Sequence, residues 1–575
     1  MSCRGTSTLL DSGTTLSPSS FVFKRACCLQ PKLRSPAANL PDFARDLLIM
    51  WNDVFARTSD RIRKLFEPHC NSSAFQCTLD DTVDIQYPAL PPSSLRLKFC
   101  EDVSPSDCDR PWQNGQPLPF AASGVFEAEL TSARRLTNSK AVKDTWELEF
   151  CSVPSKKSDA QSVPAPISYM PGDAFGFLCP NSEKEVDELL EHVECGKERK
   201  RTPCIVNFLK PEKAAKQFGH LPSGQTTLAD LFGTCCDIRG VLKKVFLRVL
   251  AEHTQNEDEK RLLLFLSSRQ GAQVYTQVVL AQKMTIVDLL TIFLSCNPPE
   301  ELVLEHLQRL QPRFYSASSW SQESAGKGVL RIIYKRVVFP EQPCRSATRE
   351  GLCTSWLTKL AVDWIERNQK GVDERLERLS LDDKKCTVQV YLRKNISFQF
   401  PRELDAKLVM VGPGSGLAPF LCYLQWKEHE LNERSSDDPS LVTKIAESWL
   451  FFGCRYRDLD FLYREELDRL LKKGVLSRLF VAFSRDARNG EESDSARPKY
   501  VQDSLRQHKE DVSELIVKGG ARVFVCGDAK NMANEVRTAF CEALRNSGTL
   551  GSAEEAESYV KTMQKEGRYM QDVWA

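Results

Sequence analysis

The sequence predicts a multidomain chain: an antiparallel β-barrel interrupted by an inserted α-helical block, followed by an α/β domain built on a parallel sheet. Three observations carry this. At 575 residues the chain exceeds one ordinary domain and has length for roughly three to four. Apolar and polar residues alternate in Gly124 to Leu130 and in Thr145 to Phe150, as they do in strands of an antiparallel sheet. From Lys407 onward, continuous apolar runs alternate with helical ones, the pattern of a parallel sheet covered on both faces.

Composition narrows the function classes. The 78 Lys and Arg against 77 Asp and Glu leave a net charge of +1, so no overall field attracts nucleic acid or an anionic membrane. With 41% hydrophobic and 27% charged residues, the chain is neither wholly disordered nor fibrous. The apolar run from Met284 to Cys296 is broken by Asp288 and falls short of the roughly 18 to 20 residues a membrane span needs, so none is expected. The 21 cysteines contain no C-x-x-C pair, which argues against a zinc ribbon or a dense disulfide framework and for a reducing, cytoplasmic setting, and no metal site is expected. The first forty residues, rich in Ser and Thr and carrying Arg4, Lys24, Arg25, Lys32 and Arg34, bear a loose likeness to a transit peptide.

Residues 1–41 lack periodicity and read as disordered. Leu47, Leu48, Trp51, Val54, Phe55, Ile62 and Leu65 recur at helical spacing and predict an amphipathic helix to Phe66. Pro88 to Pro92 reads as a stiff linker, because each proline fixes its own φ. The barrel is expected over residues 93–182 and 311–403, with later strands at Gly328 to Phe339 and Cys386 to Leu392. Between them, Val186 to Leu190 and Thr285 to Leu290 mark the helical insertion, 183–310. The parallel sheet occupies 404–575, with strands at Leu408 to Val411, Trp449 to Phe452, Leu479 to Phe483 and Val523 to Cys526.

Ligands in such sheets bind at the carboxyl ends of the strands, and the distinctive residues lie there. Gly412-Pro413-Gly414-Ser415-Gly416 follows the first strand and precedes a helical run. Its glycines let the backbone approach a phosphate at a helix N-terminus, although alone it fits a plain tight turn as well. Ser484-Arg485 closes the third strand and Lys499, Tyr500 and Gln502 follow. A guanidinium fork, a point charge and a stacking ring suit a 2'-phosphorylated dinucleotide, and a solvated basic edge is the commoner meaning of such residues. Arg313-Phe314-Tyr315-Ser316 and Gly351-Leu352-Cys353-Thr354 could neutralise a pyrophosphate, stack on a flavin and cap a second phosphate. Singly they read as a surface ion pair and a small core cysteine. The chain also carries Cys526-Gly527-Asp528-Ala529 after its last apolar strand, and near its end Trp574, which is expected to be pinned by a partner surface because chain ends fray.

Taken in order, these motifs and the near-terminal Asp-x-Trp resemble the ferredoxin-NADP reductase half of the diflavin reductases, over residues 88–575. The resemblance implies an NADPH-dependent FAD oxidoreductase. It places FAD against Arg313, Phe314, Tyr315, Ser316, Gly351, Leu352, Cys353, Thr354 and Trp574. It places NADPH against Lys143, Ser415, Ser484, Arg485, Lys499, Tyr500, Val501, Gln502 and Glu535. Ser316, Cys526, Asp572 and Trp574 match the catalytic cluster around the hydride path. Ser415 stands where the family usually has Thr and keeps the hydroxyl; Glu535 stands where an Asp is expected.

The resemblance further implies cobalamin-dependent methionine synthase as electron acceptor. Other diflavin reductases, serving a cytochrome P450 or a sulfite reductase, are the alternative enzymes, and a noncatalytic protein docking on methionine synthase is the alternative from another class. Diflavin reductases carry an FMN-binding flavodoxin domain in front. Here only about 90 residues precede the matched region, and Ser12-Gly13-Thr14-Thr15 follows no apolar strand. FMN is therefore expected not to bind this chain, and a separate flavodoxin-type protein becomes a candidate partner.

Overall fold

The computed structural model describes residues 59–66, 87–100, 112–153, 168–320, 328–369, 386–437, 446–486, 497–546 and 550–574. The Ser/Thr-rich start, Ser12 to Thr15 and the first part of the helix expected from Leu47 lie outside the described residues. The chain divides into two compact units, Met1–Pro92 with Val241–Pro298, and Ser93–Gly240 with Pro299–Ala575.

In the first unit the helix Asp60–Phe66 buries Ile62, Leu65 and Phe66, and Arg61 Nη1 donates to Thr291 O at 3.0 Å. The longest further helices of this unit include Lys244–Glu252, Glu257–Ser267 and Ile286–Ile292. Asn256 and Thr285 cap the last two by accepting from otherwise unpaired N–H groups, and Asp288 returns a bond to the Thr285 backbone at 2.9 Å. Asp288, the acid that interrupts the apolar run, is thus half of a capping box.

In the second unit β1 (Leu95–Phe99) stands apart from the main sheet. The next three strands are β2 (Phe126–Arg135), β3 (Thr145–Ser152) and β4 (Ala174–Phe177). Strand β5 (Cys204–Phe208) pairs antiparallel with β1, and the short β6 (Cys236–Asp237) pairs with β7 (Gln308–Arg309). The chain continues through β8 (Arg313–Ser316), β9 (Val329–Lys335), the small pair β10 (Val338–Phe339) and β11 (Arg349–Glu350), and β12 (Thr387–Arg393). Six of these form an antiparallel sheet in the order β8-β4-β12-β2-β3-β9. A bridge between Ala317 and Ile332, with Ser318 N donating to Arg331 O at 2.9 Å, joins its two edges. Inside lie Leu130, Leu148, Phe150, Phe175, Phe177, Leu330 and Ile332.

Two features differ from the expected layout. Residues 95–99, read as barrel, pair instead with a strand inside the stretch read as helical. That stretch is helical in most of its length, yet it contributes β5, β6 and β7, and Val241–Pro298 belongs to the other compact unit. Helical periodicity marks local structure and carries no information about which body a helix joins.

The remaining strands are β13 (Leu408–Val411), β14 (Ser448–Cys454), β15 (Arg478–Phe483), β16 (Arg522–Asp528) and β17 (Tyr569–Trp574). They form a parallel sheet in the order β15-β14-β13-β16-β17. Alternate residues divide between two cores. Leu408, Met410, Leu450, Phe452 and Phe524 pack with Leu421 and Leu424 of helix Ala418–Asp437, while Val409, Val411, Phe451, Val523 and Val525 pack with Val512, Val536 and Val560 from helices on the other face. The fifth strand, β17, contains the near-terminal Trp574 and is held by ladder bonds to β16. Among the described residues no helix is long and apolar enough to cross a membrane.

Lys427 is fully buried on helix Ala418–Asp437, where its Nζ donates to Ala446 O at 2.9 Å and Ser448 Oγ at 2.7 Å. Burial without a counter-charge lowers its pKa from 10.5 to about 8. The unfolded chain therefore holds this proton more tightly, and stability rises with pH across that window. Lys427→Met lacks the effect. Denaturant melts should show the stability difference between variant and parent changing by about 3 kcal/mol from pH 8 to pH 10.5. A difference independent of pH would contradict this.

Candidate active site

The candidate crevice lies at the carboxyl end of the parallel sheet, where the chain leaves β13 in one direction for β14 and β16 flanks it on the other side. Gly412 N donates to Phe451 O at 3.0 Å as the turn begins, and Gly414 adopts φ +59°, a conformation costly for any residue with a Cβ. A Cβ on Gly416 would lie 2.2 Å from Cys526 O, so only glycine lets this turn rest on the end of β16. Ser415 sits half-buried in the first turn leading to helix Ala418–Asp437.

The ends of β14 and β15 are laced together: Ser484 N donates to Cys454 O at 3.0 Å and Arg485 N to Arg455 O at 2.9 Å. The acid beside Arg485, Asp486, faces Arg457 at 3.8 Å. Lys499 and Tyr500 donate their backbone N–H groups to Asp503 Oδ2 at 3.2 and 3.0 Å, capping helix Val501–Gln507 and leaving the Tyr500 ring exposed. The Val501 side chain turns into the core, so any contact it makes with a nucleotide falls to its backbone. Gln502 is buried and donates to Glu535 Oε2 at 2.5 Å; these two expected contacts meet each other.

Lys143, on the turn before β3, is brought to the same crevice. Burial and the cations Lys335 and Arg455 lower its pKa, while Asp460 and Asp528 oppose them. Lys335 and Arg455 were given no role by sequence reasoning. Arg455 is the first residue after β14 and Arg485 the second after β15, two arginines at neighbouring strand ends, and that recurrence was the available signal.

On β8, residues two apart share a face. Arg313 Nη1 donates to Gln311 O, and its guanidinium faces Asp237, whose carboxyl burial pushes upward and Arg313 holds down. Tyr315 is no freestanding plate. It packs edge-on against Phe177 (5.4 Å) and Tyr334 (6.0 Å), with burial and the Cys353 thiol pushing its hydroxyl well above the usual phenol range. Gly351 N donates to Val337 O at 2.8 Å, and Thr354 Oγ1 accepts from Val337 N at 3.2 Å at the start of helix Leu352–Gln369. A Cβ on Gly351 would come within 2.7 Å of Thr354 Oγ1 and 2.9 Å of Val337. Cys353 is buried and Leu352 partly buried against the barrel core.

The other face of β8 presents Phe314 and Ser316. Ser316 Oγ donates to Asp572 Oδ2 at 3.2 Å, joining barrel to parallel sheet. Asp572 is directly opposite Cys526 in the β16–β17 ladder. Burial and the Asp572 charge push the Cys526 thiol well above its ordinary range, so it stands as a neutral thiol. Burial also raises Asp572, against Arg393, Ser316 and Asn395, none of the first and third having been singled out from sequence. Trp574 ends β17 about half exposed, its carbonyl accepting from Ala529 N at 2.8 Å.

Comparison with known proteins agrees with this division. Residues 118–356 match the family described as FAD binding domain, and residues 410–538 match the oxidoreductase NAD-binding domain. Barrel and parallel sheet together define the class of FAD-carrying, nicotinamide dinucleotide-linked flavoprotein oxidoreductases. Methionine synthase reductase of Mus musculus is 37% identical over 495 residues, 85% of this chain and 66% of that protein. That of Caenorhabditis elegans is 30% identical over 504 residues, 86% of this chain and 67% of that protein. NADPH–cytochrome P450 reductase of Sus scrofa is 29% identical over 466 residues, covering 81% of this chain and 60% of that one. The chain belongs to the methionine synthase reductase family, and spans about two thirds of the length of these relatives.

Proposed function

We propose that this chain is an NADPH-dependent FAD reductase whose electrons serve the reductive reactivation of cobalamin-dependent methionine synthase. The observation that carries the reading is the Ser316–Asp572 bond with Cys526 alongside, which sets one polar cluster where the two domains meet. The residues suit the cofactors: Gly351 and Gly416 leave cradles that a Cβ would fill, each next to the start of a helix.

Arg313 and the N–H groups following Gly351 would hold the FAD pyrophosphate, with Tyr315 at the ring system. Ser415, Lys143, Ser484, Arg485, Lys499 and Tyr500 would hold NADPH, the last four around its 2'-phosphate. When bound, the flavin supplies two-electron chemistry. The chain's part is to orient and to exclude water. Asp572 sets a negative charge where the nicotinamide becomes positive, Ser316 and Cys526 fix that carboxylate's place, and Trp574 covers the site until displaced.

The purified protein should release FAD on heating, bleach with NADPH and reduce ferricyanide; reactivation of methionine synthase tests the acceptor. A colourless protein that FAD does not reconstitute would overturn the reading. Arg485→Ala should weaken NADPH by roughly tenfold to a hundredfold, the worth of a hydrogen bond to a charged group, and leave NADH nearly untouched. Titration with both nucleotides checks this, and equal loss would make Arg485 structural.

A further inference from the structure

Ser316, Ala174 and Arg393 form one row across three strands: Ala174 pairs with Ser316 on one side and with Arg393 on the other. Paired residues in an antiparallel ladder point to the same face. Ser316 and Arg393 therefore project together, two strand spacings or about 10 Å apart, with only a methyl between them. Ser316 holds one end of this space by its bond to Asp572.

Arg393 holds the other. Its guanidinium lies 4.5 Å from the centre of the Phe314 ring and 5.2 Å from that of Phe120, supported by aromatic faces. Its charge attracts the Asp572 carboxylate.

Beyond Arg393 the chain enters a tight turn, Ile396–Phe398, that packs on β17. Asn395 starts this turn and is pinned on every side but one. Its N–H donates to Asp173 Oδ1 at 3.3 Å, its carbonyl accepts from Phe398 N at 2.9 Å, and its Oδ1 accepts from Ser397 Oγ at 3.0 Å. With Oδ1 engaged by Ser397, Nδ2 is left as the free end. Asn395 is 4% exposed, and Nδ2 lies beside the Asp572 carboxyl without a fully formed hydrogen bond to any acceptor. A buried donor in that position waits on a charged acceptor.

We propose that Asn395 and Arg393 are positioning residues for Asp572, the donor and the cation that hold its carboxylate charged and aimed at the nicotinamide ring. The inference rests on the proposed function. The groups facing Asp572 are Arg393 from β12, Ser316 from β8, Cys526 from β16 and Asn395 from the turn. Asp173, with Lys394 near it, bonds the backbone of Asn395. Arg393, Ser316 and Asn395 all favour the carboxylate, against burial.

The test is NADP+ binding to the oxidised, FAD-loaded protein, read from the flavin absorbance between pH 5 and pH 9 as the difference between variant and parent, which cancels titration of the 2'-phosphate. A positively charged nicotinamide loses affinity as Asp572 takes a proton. In Asn395→Ala, and separately in Arg393→Met, the midpoint of that loss should move up by about one pH unit, a tenfold rise in proton affinity. Asn395→Ser, which keeps a donor, should restore part of the shift. Unmoved midpoints in both variants, or an equal loss of affinity at every pH, would overturn the proposal. If one variant fails to fold, the other decides. A parent with no NADP+ spectrum at all would overturn the proposed function, and this inference with it; a parent spectrum with unmoved midpoints overturns only the inference.

Discussion

Asp572→Asn is expected to slow reduction of the bound flavin by NADPH by about 10²- to 10³-fold, the range seen when one preorganised group at a developing charge is removed. The substitution keeps the shape of the side chain and an oxygen for the Ser316 hydroxyl, so the β16–β17 ladder and flavin content should survive. What is lost is the negative charge that Arg393 and Ser316 hold in place against burial. Single-turnover bleaching measures the chemical step directly. A variant that bleaches at the parent's rate would leave Asp572 a strand residue and nothing more.

Arg313→Ala should weaken FAD by roughly tenfold to a hundredfold, the worth of a charge-assisted bond to a phosphate. Arg313 also faces Asp237, which burial already pushes toward its protonated form, so the variant removes a balancing charge from that carboxyl as well. Titration of flavin-free protein with FAD gives the affinity, and NADP+ binding provides a control because Ser415, Arg485 and Lys499 are on other elements. Retention of FAD as tight as the parent's would show that the pyrophosphate is held elsewhere.

Much of the site was legible because its signals are local. The turn from Gly412 to Gly416 sits between an apolar strand and a helix, and each glycine answers a nearby backbone requirement. Arg313 and Ser316, the two ends of one four-residue strand, fall on opposite faces because their separation is odd. Tyr500 and Val501 adjoin in sequence, yet the helix that begins there leaves the Tyr500 ring exposed and turns the Val501 side chain into the core.

The sequence by itself determined the parallel-sheet class and the strand and glycine-turn order, since apolar periodicity and turn chemistry act over a few residues. Only the tertiary structure decided that Tyr569–Trp574 is a fifth strand, that Leu95–Phe99 leaves the barrel sheet for Cys204–Phe208, and that Asn395 and Arg393 reach Asp572. An edge strand needs no continuous apolar run, because one side of it meets solvent. Partners far apart along the chain leave no periodic trace, because their meeting is set by how whole strands and turns pack.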